Sequence, residues 1–79
     1  MAKASAYFSL KNVDDNHDVK ELKRELDTLH GVISVSVNKI SDTVAVDFDT
    51  TGVDTHKIKN RIERIGYNIV DIHTENNIM

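Results

Sequence analysis

The stretch Gly31-Val32-Ile33-Ser34-Val35-Ser36-Val37-Asn38-Lys39-Ile40-Ser41-Asp42-Thr43-Val44-Ala45-Val46-Asp47-Phe48-Asp49 decides the fold. Within it Ile33, Val35 and Val37 alternate with Ser34, Ser36 and Asn38. Val44, Val46 and Phe48 then alternate with Thr43, Ala45 and Asp47. Two runs of period two, joined by the polar turn Asn38 to Asp42, predict an antiparallel hairpin with one apolar face. Ser34, Ser36, Asn38, Thr43, Ala45 and Asp47 form the opposite face of what are expected to be the inner strands, and no aromatic ring is among them.

Upstream of the hairpin the period changes. Val19, Leu22, Leu26 and Leu29 recur at helical spacing, with Lys20, Glu21, Lys23, Arg24, Glu25 and Asp27 turned outward. His30-Gly31 closes that helix, Gly31 offering the left-handed conformation a helix end needs. Further back, beyond the polar stretch Lys11 to Asp18, Ala4, Ala6, Phe8 and Leu10 alternate with Ser5, Tyr7 and Ser9 and predict a first strand. Downstream, Asp49-Thr50-Thr51-Gly52 is a loop and Asp54 a natural N-cap. Val53, Ile58, Ile62 and Ile65 supply the stripe of a second helix, which Gly66 stops. Tyr67 to Ile72 predicts a fourth strand, setting Tyr67, Ile69 and Asp71 against Asn68, Val70 and Ile72. Glu75-Asn76-Asn77-Ile78-Met79 has no period, so residues 74–79 are expected to fray from a core of residues 3–73.

The order is β-α-β-β-α-β. Right-handed crossovers place both helices on the same side of the sheet. The expected architecture is α+β: a ferredoxin-like sandwich of four antiparallel strands with two helices on one face, in a single domain over residues 1–79.

Composition narrows the function. Ten Lys and Arg against 13 Asp and Glu give a net charge of −3, and the pI is near 5.7, a poor balance for neutralising phosphates. Nucleic acid is therefore not the expected partner, and base stacking would need rings on the central strands. No run of apolar residues is long enough to span a bilayer, so no membrane insertion and a cytoplasmic location are expected. A phosphatase on this fold would want an arginine cradle after the first strand. Asp14, Asp15 and Asp18 stand there instead and would repel a phosphate, so no catalysis is expected. There is no cysteine, hence no disulfide, no thiol nucleophile and no thiolate ligand.

The sequence resembles the heavy-metal-associated domain of copper chaperones and metal-transporting P-type ATPases. His30-Gly31-Val32-Ile33-Ser34-Val35-Ser36-Val37-Asn38 is similar to that family's PGV-x-SVSVN, and Val44 to Asp49 to its third strand, which ends in an aromatic followed by Asp. Ile62-Glu63-Arg64-Ile65-Gly66-Tyr67-Asn68-Ile69 is similar to its IE-x-x-GY-x-V. The likeness runs from Phe8 to Ile72. It implies the same sandwich, a partner such as a metal transporter or a related domain, and a metal loop M-x-C-x-x-C after the first strand. On that loop Val13 takes the place of Met, Asp15 and Asp18 take the places of the two Cys, and Asn12 replaces the preceding Gly. Carboxylates are hard ligands and do not compete for Cu(I), so copper binding is not carried over.

Two readings of Asp15-Asn16-His17-Asp18 follow. In one, Asp15 is a helix N-cap and Asp18 stands at N3, both favoured by the positive helix end. The domain is then an accessory or protein-interaction module related to metal trafficking. In the other, Asp15, His17 and Asp18 weakly bind a divalent ion such as Zn(II), Co(II) or Ni(II). The resemblance puts Val13 and Tyr67 in support of that loop, Val13 in the core and Tyr67 packed over it. His30, His56 and His73 read as surface residues. The second helix carries Lys57, Lys59, Arg61 and Arg64 against Glu63 alone, an asymmetry able to orient a charged partner. A monomer or weak dimer is expected, and a third reading is a homodimeric small-molecule sensor on the same sandwich.

Overall fold

The structure, a computed structural model, describes residues 3–11 and 16–77, with side chains for 3–11 and 19–75. Strand β1 spans Lys3–Leu10, helix α1 Asn16–Asp27, β2 Val32–Asn38, β3 Thr43–Asp49, helix α2 Thr55–Ile65 and β4 Ile69–Asn77. All pairings are antiparallel and the strand order is β2-β3-β1-β4. This is the ferredoxin-like sandwich that the alternating periods predict.

The core forms where β1 and β3 turn their apolar face to the helices. Ala4, Ala6, Phe8 and Leu10 are buried with Val44, Val46 and Phe48. The register sets Ala4 beside Phe48 and Phe8 beside Val44, so a large ring lies next to a smaller side chain in each pair. Leu22 and Leu26 of α1 and Ile58 and Ile62 of α2 complete the cluster, as their helical spacing requires. Asp54 caps α2, its Oδ1 accepting from the Lys57 N–H at 2.8 Å. Gly66 ends the same helix at φ +119, donating its N–H to the Glu63 carbonyl.

Three expectations are corrected. The first concerns Ile33, which does not share a face with Val35 and Val37. The register shifts between Val32 and Ser34, so Val32 packs against the core while Ile33 is 52% exposed. A bulge inserts one residue and inverts the alternation before it. It lies beside a tight crossing in which a Cβ on Gly31 would stand 2.8 Å from the Gly52 carbonyl carbon. A second register shift, between Ser9 and Leu10, pairs Leu10 with Ile69 and Ser9 with Asp71 and leaves Val70 61% exposed.

The second concerns the chain end. Residues 74–77 belong to β4 rather than a frayed tail, Thr74, Glu75, Asn76 and Asn77 standing opposite Ala6, Ser5, Ala4 and Lys3. A polar run can hold this position because β1 supplies an edge of backbone donors and acceptors.

The third concerns the open face of the sheet. The central strands are β1 and β3, not β2 and β3. Tyr7 of β1 therefore lies mid-sheet on the face away from the helices, its ring stacked on His73 with centroids 6.0 Å apart. It is one ring among carboxylates: Asp47, Asp71 and Glu75 occupy neighbouring positions on that face.

Candidate metal loop

The loop between β1 and α1 is rooted by two backbone hydrogen bonds. The Leu10 N–H donates to the Asp42 carbonyl at 2.8 Å, and the Lys11 N–H to the Asn68 carbonyl at 3.1 Å. One end of the molecule thus gathers the start of the loop, the β2–β3 turn and the α2–β4 connection. The turn is shaped by Asn38, whose Oδ1 accepts from the Ile40 and Ser41 N–H groups, and by Asp42 in the left-handed region at φ +53. Asn and Asp are the residues that tolerate such turns. Ile40 stands at the tip, 97% exposed.

The sequence-predicted site residues fall unevenly. Val13 and Asp15 lie outside the described residues, as does Asp14. His17 and Asp18 belong to the first turn of α1, but their side chains lie outside the described ones. Tyr67 is described: half-buried, it packs against the core cluster next to Asn68, whose carbonyl holds Lys11. The Tyr67 backbone thus stands one residue from the loop's anchor, and Val13, which the Tyr67 ring is expected to cover, lies outside the described residues. His30, His56 and His73 are exposed on separate elements. Among the described residues no group of three or more His, Asp or Glu is placed to hold a metal ion.

The polar chemistry of the described residues is concentrated elsewhere, on the open sheet face. Asp47 accepts from Ser5 Oγ at 2.6 Å and from Ser34 Oγ at 3.1 Å, bridging β1, β3 and β2. The Ser5 hydrogen bond, against some desolvation, and with help from Ser34 and Lys3, holds the Asp47 carboxyl below its usual range. Asp49 is lowered too, chiefly by the Thr51 hydroxyl, which donates to its Oδ1 at 2.7 Å. Sequence reading missed the Asp47 bridge and the Tyr7–His73 stack. The alternation of Ser5, Tyr7 and Ser9 was the available signal, and only the strand order makes it central.

Known proteins share this geometry. The profile described as "HMA: Heavy-metal-associated domain" matches residues 7–68. Over 53 residues the chain is 38% identical to an Archaeoglobus fulgidus protein named "Probable copper-exporting P-type ATPase", covering 67% of this chain and 7% of that one. The chain therefore spans a small fraction of that relative's length. Among solved structures it is similar to the CopZ metallochaperone, with a TM-score of 0.81 and 26% identity over 84% of this chain and 98% of the other. The CsoZ metallochaperone matches at TM-score 0.80 and 23% identity, over 87% and 99% of the two chains. A copper-binding domain from HMA7, a P-type ATPase, matches at 0.75 and 22%, over 99% and 96%. The last two likenesses bear on the fold alone.

Proposed function

Since the chain belongs to the heavy-metal-associated domain family, we propose that it is a non-enzymatic member serving as an accessory or protein-interaction module related to metal trafficking. One observation carries this reading: the chain has no cysteine, and Asp15 and Asp18 occupy the positions where the family's motif has its two thiols. The donor set does not fit Cu(I), a soft ion that thiolates hold and carboxylates do not. What remains is the scaffold and the surface around the loop. That end displays Ile40 and, beside the Asn68 anchor, Val70, two apolar side chains a partner could cover. The expected partner is a cysteine-bearing domain of the same family, such as one from a metal-transporting ATPase.

Two measurements test this. In competition with a chromophoric Cu(I) chelator the chain should withdraw no copper, whereas stoichiometric withdrawal would overturn the loss of the thiolate function. Titrated with the metal-binding domain of a P-type ATPase, amide NMR signals of Lys11, residues 38–42 and 67–70 should shift saturably without metal. An unchanged spectrum at millimolar partner rejects the docking role.

A second reading has its own observation. Asp15, His17 and Asp18 are three oxygen and nitrogen donors within four residues, a set that suits Zn(II), Co(II) or Ni(II). Saturable Zn(II)-induced shifts confined to the loop, lost in Asp15→Ala/Asp18→Ala, would establish it. The third reading, a homodimeric sensor, requires a concentration-dependent dimer in sedimentation.

A further inference from the structure

The groove between the two helices has a chemistry that the loop does not explain. Lys57, Asn60, Arg61 and Arg64 follow one another at helical spacing on α2 and line a depression of about 240 Å³ whose far side is Leu29, in the turn after α1. Arg61 and Arg64 also line the adjoining depression, with Glu25 and Ile65. Three cations thus face the groove against one carboxylate. Glu25 stands 3.7 Å from Arg61 Nη1, too long for a charge-assisted hydrogen bond, so that guanidinium keeps most of its donor capacity. Lys59, by contrast, is tied to Glu63 at 3.1 Å one turn along. Among the described residues no carboxylate lies within ion-pair distance of Lys57 or Arg64. The positive end of α2 is already capped by the Asp54 carboxylate, which accepts the Lys57 N–H at 2.8 Å, so the cationic character of the groove comes from the Lys57, Arg61 and Arg64 side chains.

We propose that this groove binds a compact phosphate-type oxyanion about the size of diphosphate. Guanidinium forks present paired N–H donors matched to phosphate oxygens, and the Asn60 amide adds a neutral donor. Compactness of the charge favours a small ligand: the cations sit on two adjoining depressions of about 240 and 350 Å³ that share Arg61 and Arg64, not along an extended basic stripe. Net charge favours it too. The chain as a whole is negative, which repels an extended polyanion, but a Debye length of about 8–10 Å lets a compact anion respond to the local cluster alone.

Inorganic diphosphate titrated into the full-length chain at low ionic strength, followed by amide NMR, is the test. Saturable shifts should appear at residues 25–30 and 57–65. The apparent Kd should rise about tenfold in Arg64→Gln and further in Arg61→Gln/Arg64→Gln, while Lys59→Gln leaves it within about twofold. The spectrum of each variant reports its own folding, and the single Arg64→Gln variant carries the test should the double one unfold. Shifts that never saturate at millimolar diphosphate would overturn the site. Shifts unchanged in Arg64→Gln, or weakened equally by Lys59→Gln, would do the same. A hexaglutamate peptide matching diphosphate in affinity and shift pattern would overturn the phosphate assignment in favour of an acidic protein segment.

Discussion

Gly31 and Gly66 both hold left-handed backbone, at φ +95 and +119, and both follow helices, yet replacing them should cost different amounts. A Cβ on Gly66 meets nothing within 4 Å, so Gly66→Ala suffers only the backbone penalty, about 1–2 kcal/mol. A Cβ on Gly31 would meet the Gly52 carbonyl carbon at 2.8 Å and the Val53 nitrogen at 2.9 Å, backbone atoms that cannot rotate away. Gly31→Ala should therefore destabilise by about 3 kcal/mol or more. Urea midpoints order the two variants, and a Gly66→Ala loss equal to that of Gly31→Ala would refute the close-approach argument. The helix-ending role of Gly66 is legible in the sequence because a cap is local, whereas α1 ends at Asp27, so Gly31, expected to close that helix, lies four residues beyond it in the turn into β2. The contact of Gly31 with Gly52 is not legible, because it exists only once two distant loops have met.

The same division between local and distant information holds for the elements. Apolar spacing located both helices, and the Asp54 cap was readable from residue type alone. The strands were found, but two details went astray, each decided by a neighbour. Ile33 continues the alternation of Val35 and Val37 in sequence, and the bulge that turns it outward is a property of the β2–β3 pairing. Thr74 to Asn77 have no apolar residue to signal a strand, and they extend β4 only because Lys3 to Ala6 lie alongside. This pairing makes a prediction. Removing Glu75 to Met79 deletes the partners of Ser5, Ala4 and Lys3 on that side, while β3 still pairs with β1 on the other. With each backbone hydrogen bond worth about 1 kcal/mol net, the truncated chain should lose about 1–2 kcal/mol. Amide exchange should accelerate at Lys3 to Ser5 and stay slow in β3. Unchanged exchange at those amides would mean that the terminal pairing contributes nothing.

At the scale of the whole molecule, the scaffold on either side of the candidate loop was legible, strand before it and helix after it, while Asp15 and the Asp18 side chain lie outside the described residues. The open face was less legible, since its composition depends on β1 lying between β3 and β4. That placement makes Asp47 the hub joining Ser5 of β1 to Ser34 of β2 across the sheet. Its carboxyl is held low first by the Ser5 hydrogen bond, and that of Asp49 first by Thr51. A carboxyl whose pKa is lower folded than unfolded binds fewer protons in the folded state. Its stabilisation is complete above the unfolded value, ordinarily 3.8, and falls away as pH drops through the folded one. The thermal midpoint should therefore decline as pH falls below about 4. Asp47→Asn keeps an oxygen for Ser5 to donate to but has no proton to gain, so its midpoint should be lower than wild type at pH 7 and fall less steeply on acidification. Ser5→Ala, which removes the main cause of the low value, should flatten the same part of the curve. Midpoints for Asp47→Asn that track wild type in parallel down to pH 2.5 would show that the hub does not couple the sheet to protons, leaving Asp49 and the other carboxylates to account for the acid sensitivity.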